Sequence, residues 1–507
     1  MNIVSEIKKN SPFFFMLSFF LIFFSLLVAC SNIDREVTRE NNESPFEITM
    51  MLEFHTSEYP NERIKQLLEA ATNTKLNIHF IPDANYNERL NTAFASGTLP
   101  MVVPMNFQMF SQYKDAIREG QFWEIGPYLS EFENLSKLKK ETLENKKVDG
   151  KFYSLYLGRP LSRQGIIYRK DWAENLGIST PTNTRELFEM AKAFTEEDPN
   201  RSGKNDTIGI TDRSDLVYGS FKTIASWFGV PNEYGIMYDQ VYPEFMFPQY
   251  LETLNYMRAL YANGYINRDF PVTTKNDQQS LLVNGIAGIY IGSMTDVNKL
   301  YTDTIQKNHD ATFDVQNYIE GPQGDFGIWA IPGFTRVILF PKSAIKTEDD
   351  LKSVLAFYDQ LMTPEVSNLL LWGIEGEHYE VVDGMARVID PVLHDAEVRP
   401  YLALEIGERE TNGAYERYFS YEIQVKADDL TNMNEKYLIH NPAITLYSET
   451  KEIDGFRLNQ IIEDATIQFI IGQIDEDGFQ GAINEWLDQG GKNIIEELTN
   501  SYIAQNK

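Results

Sequence analysis

Apolar and polar positions change period several times along this chain. "FEITMMLEF", from Phe46, is an apolar run of strand length. After a polar loop, "NERIKQLLEAATN" sets Ile64, Leu67, Leu68 and Ala71 at helical spacing, and "KLNIHFI" alternates Leu76, Ile78 and Phe80 with Asn77 and His79. Strand, helix and strand joined by links this short predict a βαβ unit and a parallel sheet. A second block opens at "GIIYRKDWAENLGISTPTNTRELFEMAKAF". There Asn183 and Glu186 have capping-box spacing, and Leu187, Met190, Ala191 and Phe194 line one helical face. "VILFPKSAIKTEDDLKSVLAFYDQLMT" predicts another strand and a helix with an acid-rich start, its apolar face carried by Leu351, Leu355, Tyr358 and Met362. "IIEDATIQFIIG" and "GAINEWLDQGGKNIIEELTNSY" predict closing helices. At 507 residues the chain exceeds what one core fills, so an α/β protein of two lobes is expected.

The pattern before Phe46 is of another kind. Lys8 and Lys9 precede an apolar stretch from Pro12 to Ala29, broken only by Ser18 and Ser25, in the layout of a secretory signal peptide. A retained membrane helix is the alternative. Leu27-Val28-Ala29-Cys30 resembles the lipobox of bacterial lipoproteins, which implies cleavage before Cys30 and a diacylglycerol on its sulfur, anchoring the chain at the outer face of the cell membrane. Residues 31–45 are polar and without period, which predicts a flexible tether with a reach of ~20 Å. The expected division is a signal peptide at 1–29 and a lipidated tether at 30–45.

Composition narrows the chemistry. Asp and Glu number 74 against 45 Lys and Arg, a formal charge of -29, and removing Glu6, Lys8 and Lys9 with the leader makes the chain one unit more negative. Such a surface repels phosphate backbones and anionic head groups, so no nucleic-acid partner is expected, nor any membrane contact beyond the lipid. With Cys30 as the only cysteine, no disulfide, thiolate zinc site or cysteine nucleophile is expected. There is no G-x-S-x-G, no H-E-x-x-H and no complete phosphate loop, and the six histidines make no tight ligand pair. Acids from distant loops meeting across a cleft would leave a glycosidase open as the enzymatic alternative.

Several stretches together resemble the extracellular solute-binding lipoproteins of bacterial ABC importers, in the carbohydrate-type family that includes alginate- and oligosaccharide-binding proteins. They are residues 149–210, "LYANGYINRDF", "NGIAGIYIG", "WGIEGEHY" and "ASGTLPMVV". The resemblance implies a periplasmic-binding-protein-like fold with a ligand cleft between the lobes and hinge crossings near residues 157–165, 328–335 and 380–390. The expected lobes are 46–160 with 330–385 and 161–329 with 386–507. It implies a monomer that is no enzyme, with an oligosaccharide as ligand and ABC permease subunits as partners. A ligand sensor without transport shares the same cleft. Met101 stands where many relatives carry an acid after Leu-Pro.

In "DPNRSGKND", Asp198, Asn200 and Ser202 alternate as oxygen donors ahead of Gly203, as in an EF-hand loop. By likeness to the alginate-binding proteins, Asp198, Asn200, Ser202, the Lys204 carbonyl, Asp206 and Thr207 are the expected ligands of a structural calcium ion. A solvated turn is the alternative, and Gly209 occupies the twelfth position, where an EF-hand has glutamate. For a sugar, aromatic platforms and fork-shaped donors are the chemistry to look for. Trp227, Phe228, Trp329 and Trp372 fall at apparent element ends, and Tyr156, Arg159 and Arg163 fall at the first expected crossing. For each aromatic the alternative is a place in the core; for the arginines it is an interlobe ion pair. Glu53 and His55 end the first strand and can project to a cleft.

Overall fold

The computed structural model describes residues 45–54 and 59–505. The expected signal peptide, Cys30, the tether as far as Ser44, and His55 lie outside the described residues. The described residues from Phe46 onward form one compact unit.

The first βαβ unit is present as its period dictates. Strand Phe46–Phe54 pairs in parallel with strand Thr74–Pro82 through helix Arg63–Thr72. On that helix Ile64, Leu68 and Thr72 are buried, while Leu67 and Ala71 face solvent. The buried stripe is therefore one i, i+4 row, narrower than the apolar pattern implied, because the helix rests on its sheet along a single ridge. Met51 donates to the Val102 carbonyl and Val102 to the Thr49 carbonyl, and these parallel bonds carry the sheet toward strand Val103–Asn106. Beside it, strand Phe334–Leu339 lies antiparallel between Val103–Asn106 and Ser154–Gly158. Helix Glu348–Leu361 covers this core with Leu351, Leu355 and Tyr358.

The second sheet runs in the order Phe313–Gln316, Gln164–Arg169, Ala287–Ser293, Ile208–Thr211, with only the last pair parallel. All six residues of Gln164–Arg169 are buried, as suits a strand covered on both faces. Helix Thr184–Glu196 packs on it through Leu187, Met190, Ala191 and Phe194. Its cap differs from the expected box. Asn183 accepts from the Glu186 amide at 2.9 Å, but the Glu186 carboxylate turns to the Thr182 amide and hydroxyl, one residue further back.

Buried apolar residues gather into two large cores. One runs from Ile48 to Tyr156 and resumes from Phe334 to Ile406; the other runs from Ile166 to Trp329 and resumes from Ala443 to Leu498. Val398, Tyr401, Leu404 and Ile406 belong to the first. Among the described residues no helix is long and apolar enough to cross a membrane.

Candidate functional site

Three chain segments pass side by side where the cores meet. Gly158 donates to the Gly407 carbonyl at 2.9 Å, and Gly407 returns a bond to Tyr156 at 2.7 Å. Arg159 donates to Gly333 at 3.0 Å, and Ile331 to Leu161 at 2.8 Å. Side chains brace this ladder from below. Tyr156, fully buried, donates its hydroxyl to Glu408 at 2.8 Å and accepts from the Lys139 amide. Burial pushes the Glu408 carboxyl up, with Tyr156 and Lys139 opposing. Lys139 reaches across to Glu435 at 3.4 Å, at the end of helix Glu422–Asn434.

The crossing presents Arg159 and Arg163, both half-buried. Burial lowers the Arg159 guanidinium from its ordinary value, and the charge of Arg163 lowers it further. Tyr218, with 46 % of its surface exposed, lies within electrostatic reach of Arg159 and opposes that lowering. Its ring meets Trp329 edge-on at 5.6 Å, and Trp329 is locked by an indole bond to Thr223 at 3.1 Å. The exposed ring is thus that of Tyr218, with Trp329 as its backing at 3 % exposure. Nothing in "RSDLVYGS" marks Tyr218 by period or cap, which is why pattern reading passed over it.

The other expected aromatics are not brought to this place. Trp227 and Phe228, 1 % and 6 % exposed, lie in the second core, Phe228 against Tyr256. Trp372 is buried in a small satellite cluster, its indole donating to the Tyr415 carbonyl at 3.1 Å with Arg409 over its ring. Glu53 pairs with Arg336 at the rim of a cavity of about 230 Å³ that Leu157, Arg399 and Glu405 also line. Burial pushes the Glu405 carboxyl up to about 7, with Arg409 and Arg336 opposing.

In the loop after helix Thr184–Glu196, Asp198, Arg201 and Gly203 take positive φ, folding the chain back on itself. Ser202 Oγ lies 3.0 Å from Asp206 Oδ1 and 3.4 Å from Asp198 Oδ1, while Asn200 Oδ1 accepts from the Ser202 amide. These four side chains converge as the donor set of a hard cation would. Only two are carboxylates, and the Thr207 hydroxyl is turned away, bonded to the Phe194 carbonyl at 2.8 Å. Gly209 cannot be an acid here, since a Cβ would stand 2.3 Å from the Ala191 carbonyl oxygen. Among the described residues no group of three or more His, Cys, Asp or Glu is placed to hold a metal.

Residues 56–335 match the profile of the bacterial extracellular solute-binding protein family. The chain is a bacterial extracellular solute-binding protein. Two Bacillus subtilis (strain 168) proteins are similar over nearly its whole length. The polygalacturonan/rhamnogalacturonan-binding protein YtcQ is 39 % identical over 94 % of this chain and 96 % of its own. Lipoprotein LipO is 30 % identical over the same shares. Solved solute-binding proteins share the fold at lower identity. An HMO-binding, ABC-transporter-associated protein from Bifidobacterium longum infantis superposes with a TM-score of 0.70 at 14 % identity, covering 91 % of this chain and 99 % of its own. Alginate-binding protein AlgQ2, in a structure without calcium ion, gives 0.62 at 14 %, covering 91 % and 98 %. The Streptococcus pneumoniae protein FusA, as an EF-hand mutant, gives 0.61 at 17 %, covering 91 % and 100 %. As a solute-binding protein the chain is the capturing component of an ABC transporter, not an enzyme.

Proposed function

We propose that this solute-binding protein, anchored through a lipid on Cys30, captures an oligosaccharide between its two cores and hands it to a membrane permease. The observation that carries the reading is the crossing itself: two separate cores, and at their junction two half-buried guanidiniums, one of them within electrostatic reach of an exposed tyrosine ring. A sugar offers C–H faces to such a ring and hydroxyl edges to such donors. We take the cores as the two lobes, with the second return near residue 407, because Val398 to Ile406 pack into the first. Arg159, Arg163 and Tyr218 line the cleft; Trp329 and Tyr156 support them from behind. The name of the YtcQ relative makes pectic fragments the first solutes to try.

Binding without turnover is the test. Thermal melts against pectic and neutral oligosaccharides should show a shift for a true solute, about 2.7 kcal/mol at a hundredfold excess over Kd. Prolonged incubation should release no new reducing ends. A melt that no saccharide moves refutes the reading.

The same proposal gives the loop a structural calcium ion, held by Asp198, Asn200, Ser202 and Asp206 with the Lys204 and Thr207 carbonyls. A chelator should lower the melting temperature of the protein and leave an Asp198→Asn variant unmoved. Equal effects on both refute the site.

A further inference from the structure

We propose that Arg159 and Arg163 are a carboxylate-reading pair, and that a uronate shared between them is what draws the two cores together on the solute. This rests on the reading of the chain as an oligosaccharide receptor and adds both the charge of the solute and the trigger for closure.

The pair is set apart by burial without a partner. Carboxylates outnumber basic side chains by 74 to 45, and Arg63, Arg118, Arg169, Arg336 and Arg409 each hold one within 4.0 Å. Among the described arginines that hold none, all are exposed except Arg258, which lies over the Phe469 ring, and Arg159 and Arg163, which are half-buried. Two guanidiniums left partly desolvated and close enough to repel each other stand at a cost that an anion removes. The polar atoms between and beyond them are also unsatisfied. Ser162 Oγ and Gln164 Oε1, on residues 2 % and 6 % exposed, have no hydrogen-bond partner.

Position turns recognition into movement. Arg159 leaves strand Ser154–Gly158 of the first core, its amide fixed to Gly333. Arg163 leads into strand Gln164–Arg169 of the second, its carbonyl fixed by the Met294 amide at 2.8 Å. The two charges are thus carried from opposite ends of one crossing. While unshielded they push those ends apart; a carboxylate offers an oxygen to each fork and ties them. Tyr218 then lies against the ring that bears the carboxylate. A neutral sugar supplies hydroxyls but no charge, so it binds without the tie.

The experiment compares trigalacturonate with the same trisaccharide as its methyl ester, titrated calorimetrically, with the radius of gyration read by X-ray scattering. The free acid is expected to bind at least about tenfold more tightly than the ester and to contract the protein, the ester leaving it extended. Arg159→Gln and Arg163→Gln should each erase the preference of acid over ester, and Arg163→Lys should restore part of it. A cooperative melt at the unaltered protein's temperature, read without ligand, shows that these variants fold. Equal binding of acid and ester by the unaltered protein, or a preference that survives both glutamine variants, overturns the pair and leaves the receptor reading in place. Binding of neither, where another saccharide class binds, overturns the uronate assignment; binding of no saccharide at all overturns both readings.

Discussion

Lys146 shows what burial does to a single charge in this protein. It is 1 % exposed, its ammonium turned to the carbonyl and hydroxyl of Ser154, and burial pulls its value down to about 7, with Glu408 opposing. The unfolded chain keeps that proton up to roughly pH 10.4, so between about 7 and that value unfolding takes up a proton and stability rises with pH. Below about 7 the full penalty stands. Lys146→Met should therefore stabilise the protein by more at about pH 6 than at about pH 9.5, measured by denaturant titration; a gain independent of pH contradicts the assignment. Glu405 works in the opposite sense. Its folded carboxyl, near 7, holds a proton that the unfolded one loses near ~4.3, so its contribution is present in acid and lost as pH rises through that window. Glu405→Gln should flatten the fall. At the crossing, Tyr218→Ala should weaken saccharide binding by about 1 kcal/mol and Tyr218→Trp should preserve it, by calorimetry. Residues such as these were the least legible in the sequence. Tryptophans advertised apolar area, yet area does not say which side of a packed layer a ring faces, and Trp227, Trp329 and Trp372 all turned inward. The arginines were visible, but an ion pair and a ligand contact demand the same side chain, and only the placement of the acids around them separates the two.

Elements were far easier to read, because period and caps are local. Strand Phe46–Phe54, helix Thr184–Glu196 and helix Glu348–Leu361 lie where alternation and helical spacing put them. The discrepancies are tertiary: Leu67 and Ala71 are left out because their helix touches the sheet along one ridge, and Glu186 abandons its own cap for the amide and hydroxyl of Thr182. At the start of helix Glu348–Leu361 the reciprocal box is complete, Asp350 donating its amide to the Thr347 hydroxyl at 3.1 Å and its carboxylate accepting from the Thr347 amide at 3.2 Å. Thr347→Ala should cost about 1 kcal/mol of stability, read from the denaturation midpoint. Gly209→Ala should cost more, since no side chain there has room to yield to the Ala191 backbone.

At the scale of the molecule the cores meet at the ladder of Gly158, Arg159, Gly333 and Gly407, and also away from it. A second contact involves the short helix Lys114–Arg118 of the first core, where Arg118 lies 4.6 Å over the ring of Tyr447. Beside it, Lys114 is lowered by burial and partly held up by Glu452. No sequence pattern announced this second contact, since its residues are more than 300 positions apart and neither segment is periodic. Arg118→Ala combined with Tyr447→Ala should speed solute release while leaving its association rate nearly unchanged, by stopped-flow fluorescence. The ladder carries a consequence of its own for how the protein moves. Backbone bonds that run between neighbouring segments survive a twist about the segments' long direction, whereas a side-chain contact far from that axis is made or broken as a whole. Deuterium uptake should accordingly be slow at Gly158, Arg159 and Gly407 with or without solute, and should change on binding at Tyr447 and Lys114: the quietest amides of the protein would mark the axis on which it turns.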